Sequence, residues 1–278
     1  MVFPIIFAFV APSRLQQQSH ANPKPPTAII VEDSVRRLPC SALSTSSEPS
    51  DSSSSRFGRQ DYWDSFYQEE DGAAFSWYTG WADLEPFLME LLNPDDTILL
   101  PGVGSDTMLL DMYESGYRHL TAFDYAAQGI ARCREMMGSE RSNAIHLFVG
   151  DARDLPQLED ASFDVVLEKG TLDAIVQSGE GGTLKEKKAL GLENMEKAIA
   201  ELCRVIKPGG TFISISAICT EELENSPEWQ RTTTGDDDAV WAMIRDGSLY
   251  FTESGYASNN FDGTLLAWRK KKRSQEEE

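Results

Sequence analysis

The sequence predicts a doubly wound α/β fold: a seven-stranded, mostly parallel sheet with an antiparallel last strand and helices on both faces. Three observations carry this. From residue 97 onward, apolar runs of strand length alternate with segments of helical spacing, a pattern that implies a parallel sheet covered on both sides. The first run ends in a glycine turn, Gly102-Val103-Gly104-Ser105. The last two runs, 248–252 and 264–268, flank a short Gly/Asn-rich connection and read as an antiparallel hairpin.

Each element follows from its local pattern. Residues 97–101 form a short apolar run that stops at Gly102, hence strand one. Residues 106–115 place Met108, Leu109, Met112 and Tyr113 at helical spacing and stop at Gly116. Strand two spans 119–124, a helix follows over 126–137, and strand three spans 144–149. Strand four is 163–168. A long helix over 185–205 is closed by the turn Lys207-Pro208-Gly209-Gly210, and strand five spans 211–216. There are no internal repeats.

Composition bounds the alternatives. At 278 residues the chain holds one full α/β domain. No apolar run approaches the roughly 18 residues that span a bilayer. The four cysteines (Cys40, Cys133, Cys203, Cys219) lie scattered without a histidine cluster, which argues against a disulfide framework and against a metal site. Residues 1–60 hold six basic and four acidic residues, so the net charge of −20 rests on the remainder, with 19 basic residues against 41 acidic. Such a surface repels nucleic acid and anionic membrane. It suits a basic protein partner, or serves solubility alone.

The chain divides into three stretches. Residues 1–60 combine a short apolar start with Ser/Pro-rich sequence. That composition builds no core, so a disordered leader is expected, with the pattern of a targeting segment. The step Phe9-Val10-Ala11-Pro12 resembles the cleavage region of bipartite plastid leaders. A plastid, a mitochondrion and the cytoplasm all stay open as the compartment. Residues 61–268 form the folded domain, and residues 269–278 a solvated charged tail.

Ligands of open α/β sheets bind beyond the carboxyl ends of the strands, and four strands here end in suitable residues. Gly102 and Gly104 permit a tight turn and close backbone approach to a ligand, with helix N-terminal amides beyond. A dinucleotide fingerprint needs a third glycine where this chain has Thr107. Asp124 lies 20 residues past Gly104 and suits the two hydroxyls of a ribose; an exposed loop acid is the other reading. Strand three ends in Asp151-Ala152, a carboxylate and an amide that match the edge of adenine, or else a turn cap. Strand four ends in Glu168-Lys169-Gly170-Thr171-Leu172-Asp173. A Glu-Lys pair closing an apolar strand demands partners, either a reacting centre or a structural ion pair. Together these residues suit an adenosyl ligand.

The segment from Asp61 to Tyr67, Trp77-Tyr78, the glycine turn and the block 163–174 resemble the seven-β-strand protein-lysine methyltransferases, which are class I and Rossmann-like. The likeness points to the group acting on elongation factor 1A, and the citrate synthase lysine methyltransferases are similar. It runs from about Tyr62 to Ser216 and fades beyond. It implies S-adenosyl-L-methionine as cofactor and a lysine of a basic protein, such as a translation elongation factor, as acceptor. By motif, Trp63, Tyr67 and Trp77 would close over the cofactor, and Gly102 and Gly104 would pass its methionine portion. Asp124 and Tyr125 would hold the ribose and flank the adenine. Asp151 and Ala152 would read the adenine edge, and Lys169 would contact the cofactor near the acceptor. The acceptor pocket is expected to combine Trp77 and Tyr78 with Glu168 or Asp173, so Glu168, Asp173 and Tyr78 are the candidate catalytic residues. The turn departs from the family pattern at Val103, whose side chain should face the core.

Rival readings are a small-molecule methyltransferase of the same fold, a non-catalytic cofactor-binding partner protein, and an NAD-dependent oxidoreductase. Thr107 and Asp151 speak against the last. Nucleic-acid methylation is disfavoured by the sign of the charge and the missing Asn/Asp-Pro-Pro-Tyr block. A monomer is expected.

Overall fold

The structure is a computed structural model that describes residues 30–31, 56–69, 76–232, 240–251 and 261–272. Of the expected leader, only Ile30–Val31 and residues 56–60 fall within the described residues. The tail beyond residue 272 lies outside them.

In chain order the strands are β1 (Ile30–Val31), β2 (Ile98–Pro101), β3 (Leu120–Asp124), β4 (His146–Val149), β5 (Phe163–Lys169), β6 (Ile206–Ser216), β7 (Trp241–Phe251) and β8 (Phe261–Lys270). The helices are α1 (Gln60–Glu69), α2 (Trp81–Leu88), α3 (Met108–Glu114), α4 (Ala127–Ala144), α5 (Thr171–Ile175), α6 (Leu184–Arg204) and α7 (Thr220–Glu224). The sheet order is β1-β7-β8-β6-β5-β2-β3-β4. Strands β2 to β6 pair in parallel. β8 runs antiparallel to both β6 and β7, so the expected seven strands and the antiparallel last strand are present. β1 adds a two-residue antiparallel pair along β7.

Period-2 alternation sorts the strand side chains into two cores. Ile98, Leu100, Leu120, Ala122, Val165, Leu167, Ile213 and Ile215 pack with Leu84, Leu88, Leu109, Met112, Ile130, Cys133 and Met137 of α2, α3 and α4. On the other face, Leu99, Phe123, Val166, Phe212 and Trp268 pack with Met195, Ala198, Ile199 and Leu202 of α6. Helices on both faces are what a parallel sheet requires. α6 opens with a capping box, in which Thr183 Oγ1 accepts from the Glu186 amide while the Glu186 side chain accepts from the Thr183 amide.

Boundaries differ from expectation where glycine intervenes. The helix expected to stop at 137 resumes after Gly138, whose φ of 71° breaks the helical path, so β4 begins at His146 rather than 144. Lys207 to Gly210 does not end the chain's pairing. β6 advances from Ile206 to Thr211 while β5 moves only from Phe163 to Val165, so the segment bulges out of a continuing strand. α5 and α7 are five residues each, too short to leave a helical period in the sequence.

From the β2–β5 junction the chain builds the sheet outward both ways, β3 and β4 on one side and β6, then β8 and β7, on the other. That junction is the topological switch point, where α/β sheets place their ligands.

Candidate functional site

A cleft of about 1050 Å³, counted to its open mouth, lies beyond the carboxyl ends of β2, β3, β4 and β5. Its floor is the glycine turn after β2. The Gly102 amide donates to the Phe123 carbonyl at 2.7 Å, locking the turn to β3. Gly104 has a φ of +50°, and a Cβ there would collide with the Tyr67 hydroxyl, so only glycine lets α1 close down on the turn. Val103 is buried in the core as expected. Thr171 Oγ1 donates to the Pro101 carbonyl at 3.0 Å and ties α5 to the end of β2.

Asp124 organises the floor from below. Its carboxylate accepts from the Gly104 amide at 2.9 Å and from the Ala126 amide at 2.8 Å. Burial pushes this carboxyl up to about 6, against the opposing pull of those backbone bonds. Tyr125 follows, half-buried, with its phenol raised by burial and by the Asp124 charge. At the end of β4, Asp151 binds the Arg153 guanidinium through both oxygens (Nε at 2.9 and 3.1 Å, Nη2 at 2.6 Å). Partial burial opposes ionisation of Asp151, but the Arg153 hydrogen bonds and charge outweigh it and hold the carboxyl below its ordinary range.

The roof is aromatic. Trp63 and Tyr67 of α1 are buried and stacked, with centroids 5.7 Å apart, and Trp77 lies 5.3 Å from Trp63. Phe57, Tyr62 and Phe66 extend the cluster. Polar bonds pin it to the turn after β3 and to α4: Gln60 Nε2 donates to the Tyr125 carbonyl at 2.6 Å, and Arg132 Nε to the Tyr67 carbonyl at 3.1 Å. Lys169 closes the side. Its ammonium sits 2.6 Å from Asp106 Oδ2 and donates to the Trp77 carbonyl at 2.5 Å and to Ser76 Oγ at 3.1 Å.

The structure therefore brings together ten of the thirteen candidates around one cleft: Trp63, Tyr67, Trp77, Gly102, Gly104, Asp124, Tyr125, Asp151, Ala152 and Lys169. Glu168, Asp173 and Tyr78 are set apart from its lining. Strand alternation explains the first: Leu167 and Lys169 face the cleft, so Glu168 between them points the other way. It is fully buried and accepts from Ser214 Oγ and the amides of Thr171 and Leu172. Burial and the nearby Asp173 charge raise its carboxyl to about 8. Asp173 is also fully buried. It accepts from Tyr78 Oη (2.5 Å), Ser216 Oγ (2.7 Å) and the amides of Ala217, Ile218 and Cys219 (3.1, 3.1 and 2.9 Å). The expected acceptor pocket of Trp77 and Tyr78 with Glu168 or Asp173 is thus not assembled on the cleft wall. Trp77 alone of the four is there.

Gly58, Asp106 and Ser178 also line the cleft, with no signal in the sequence motifs, as do Arg153 and Ala174, which fall inside the strand-end motifs without an assigned role. Asp106, directly after the glycine turn, is the one within reach of a positional argument. The rest depend on tertiary contact.

The lining discriminates between ligand classes. Its two cations, Lys169 and Arg153, are both ion-paired, with Asp106 and Asp151. The glycine turn lacks the third glycine of a dinucleotide fingerprint, Thr107 standing there, whereas a ribose, an adenine edge and a positively charged centre meet carboxylates and aromatic faces. Those features fit S-adenosylmethionine. Among the described residues, no His/Cys/Asp/Glu group is arranged to hold a metal ion. No described helix is long and apolar enough to cross a membrane.

Comparison with known proteins bears on the same region. Residues 99–214 match the family model described as "Methyltransferase domain". The mouse "eEF1A lysine and N-terminal methyltransferase" is 34% identical over 166 residues, covering 59% of this chain and 22% of the relative. Its human counterpart is 33% identical over 166 residues with the same coverage. The mouse "EEF1A lysine methyltransferase 4" is 31% identical over 157 residues, 56% of this chain and 60% of that protein. The chain thus spans about a fifth of the length of the first two relatives. Among solved structures, a SAM-dependent methyltransferase from Methanosarcina mazei aligns with a TM-score of 0.49 and 15% identity over 69% of this chain and 100% of that one.

Proposed function

We propose that the protein transfers a methyl group from S-adenosylmethionine to a lysine side chain of a protein, a reading supported by the match of residues 99–214 to a methyltransferase-domain model and by the doubly wound sheet. The observation that carries this is the cleft at the switch point, with carboxylates at the ends of β3 and β4 and an aromatic roof. When bound, S-adenosylmethionine supplies an electrophilic methyl group on a sulfonium sulfur.

The chain's own residues bind and orient. Asp124 accepts from the ribose hydroxyls while its backbone bonds hold the carboxylate in place. Asp151, kept ionised by Arg153, accepts from the adenine amino group, and the Ala152 amide donates to the ring. Trp63, Tyr67 and Trp77 exclude water and turn π faces toward a cationic centre. An acceptor lysine has to be neutral to react, and the apolar wall formed by these rings lowers its pKa by desolvation. Positioning supplies most of what such a displacement needs.

The acceptor we propose is a basic protein surface, with elongation factor 1A the first to test. The relatives' names support it, as does the excess of acidic residues beyond residue 60. Calorimetry on the full chain with S-adenosylmethionine and with NAD tests the cofactor. Micromolar binding of the former, lost in Asp124→Ala, is expected; binding of NAD instead sinks the reading. Radiolabelled methyl transfer to purified elongation factor 1A, compared with a lysate, then tests the acceptor.

A further inference from the structure

The segment 76–79 carries two adjacent aromatic side chains that go opposite ways. Trp77 lines the cleft, while Tyr78 packs against the core under α2 and reaches Asp173. The divergence comes from the backbone: Tyr78 has a φ of +78°, a left-handed conformation that a bulky residue keeps only when its surroundings over-determine it. Gly170 makes room for both rings. A Cβ there would sit 3.2 Å from Tyr78 Cε2 and 3.5 Å from Trp77 Cγ. What fixes the strained residue is the 2.5 Å bond from its hydroxyl to Asp173. Asp173 is itself immobile, because Ser216 and three consecutive backbone amides after β6 donate to the same carboxylate.

We infer that Asp173 is a positioning residue: by accepting the Tyr78 hydroxyl it holds Trp77 over the mouth of the cofactor cleft and thereby sets how long the cofactor stays bound. The inference rests on the proposal that this cleft takes S-adenosylmethionine. Lys169 and Asp106 fix the other side of the segment through the Trp77 carbonyl and Ser76. Trp77 is thus held from two directions, on its main chain from the cleft side and through its neighbour's ring from the core side. Losing the second hold frees the φ-strained residue to relax and carries the Trp77 ring with it. Asp173 also joins this segment to the turn at residues 217–219, so the roof of the cleft and the end of β6 share one post.

Tyr78→Phe removes the hydroxyl and keeps the ring, whereas Asp173→Asn also disturbs the backbone amides after β6 and confounds the result. The test is dissociation of radiolabelled S-adenosylmethionine from the full-length protein, chased with excess unlabelled compound. Acrylamide quenching of tryptophan fluorescence is measured in the same samples, with Trp77→Phe backgrounds to assign the Trp77 signal. The expected result is dissociation roughly tenfold faster in Tyr78→Phe and more quenching of Trp77, beside the fall in Tm that loss of a hydrogen bond to a buried carboxylate brings. An unchanged dissociation rate overturns the inference and leaves the proposed function standing. Faster dissociation with unchanged quenching of Trp77 also overturns it, since the bond then acts through overall stability rather than through the Trp77 ring. No binding of S-adenosylmethionine by the unaltered protein overturns both.

Discussion

Lys169 and Asp106 form an ion pair of 2.6 Å in which the side chains are only 6% and 12% exposed, between the end of β5 and the turn after β2. The pair locks the two strands that flank the switch point. Removing one partner of a buried pair leaves an uncompensated charge, at a cost of about 3–5 kcal/mol. Asp106→Ala and Lys169→Met are each expected to lose about 3 kcal/mol in denaturant unfolding, and the double variant less than the sum. Single losses near zero would show that solvent reaches the pair.

Glu168 predicts a pH dependence of stability. Its carboxyl titrates near 8 in the folded protein against an ordinary value of 4.5, so the folded state holds a proton that the unfolded chain releases. This stabilisation is complete below about pH 4.5 and is lost as the pH rises towards 8. At 1.36 kcal/mol per unit the whole effect is on the order of a few kcal/mol. Between pH 6 and pH 9 the native protein is expected to lose stability faster than Glu168→Gln, whose amide mimics the protonated acid without titrating. Parallel curves for the two proteins refute the assignment.

Asp124 predicts a pH dependence of binding with the opposite direction. Its carboxyl is raised to about 6, and the ionised form is the better acceptor for a diol. Affinity for S-adenosylmethionine is expected to be constant above pH 7 and to weaken below 6, approaching tenfold per unit. Calorimetry from pH 5 to 8 checks this, with Asp124→Asn as a weak, flat reference.

Gly104→Ala tests the close approach of α1 to the glycine turn. The new methyl strains a left-handed φ and strikes the Tyr67 hydroxyl. Loss of cofactor affinity by more than about tenfold is expected, because roof and floor no longer meet, with a fall in stability of about 1–2 kcal/mol. Binding at native strength would mean that Tyr67 swings aside freely.

The three described cysteines predict a labelling pattern. Cys133, Cys203 and Cys219 are buried, and burial raises all three thiols, Cys133 to about 12. None is expected to react with iodoacetamide until the protein unfolds, which peptide mass spectrometry reads directly.

The sheet and most of the cleft were legible because the ligand position of an α/β fold follows from strand order, and strand ends announce themselves in sequence. Gly102, Gly104, Asp124 and Asp151 each close an apolar run. Glu168 was misplaced because a motif is read as a string, whereas a strand sends neighbouring side chains to opposite faces. Tyr78 was misplaced because its left-handed backbone has no signature in a non-glycine residue. Asp106 pairs with Lys169 across 63 positions, a relation that linear spacing does not contain, whereas Arg153 lies two residues from Asp151 and closes the same strand end.

The roof over the cleft has a kinetic consequence. Its anchors are all distant in sequence: Gln60 to Tyr125 and Tyr67 to Arg132 span 65 positions, Ser76 to Lys169 spans 93, and Tyr78 to Asp173 spans 95. On a growing chain the aromatic segment emerges first but finds its last partners only after strands β3 and β5 have been made. The β2–β5 ladder closes a loop of similar length, 67 positions from Ile98 to Val165, so what sets the roof apart is that it is held by isolated bonds rather than a ladder. A segment held by a few polar bonds and one aromatic cluster is the kind that opens without global unfolding. Hydrogen exchange at residues 60–69 and 76–79 should therefore run ahead of exchange in β2 and β5, and a bound adenosyl ligand, by bridging the two, should bring their rates together.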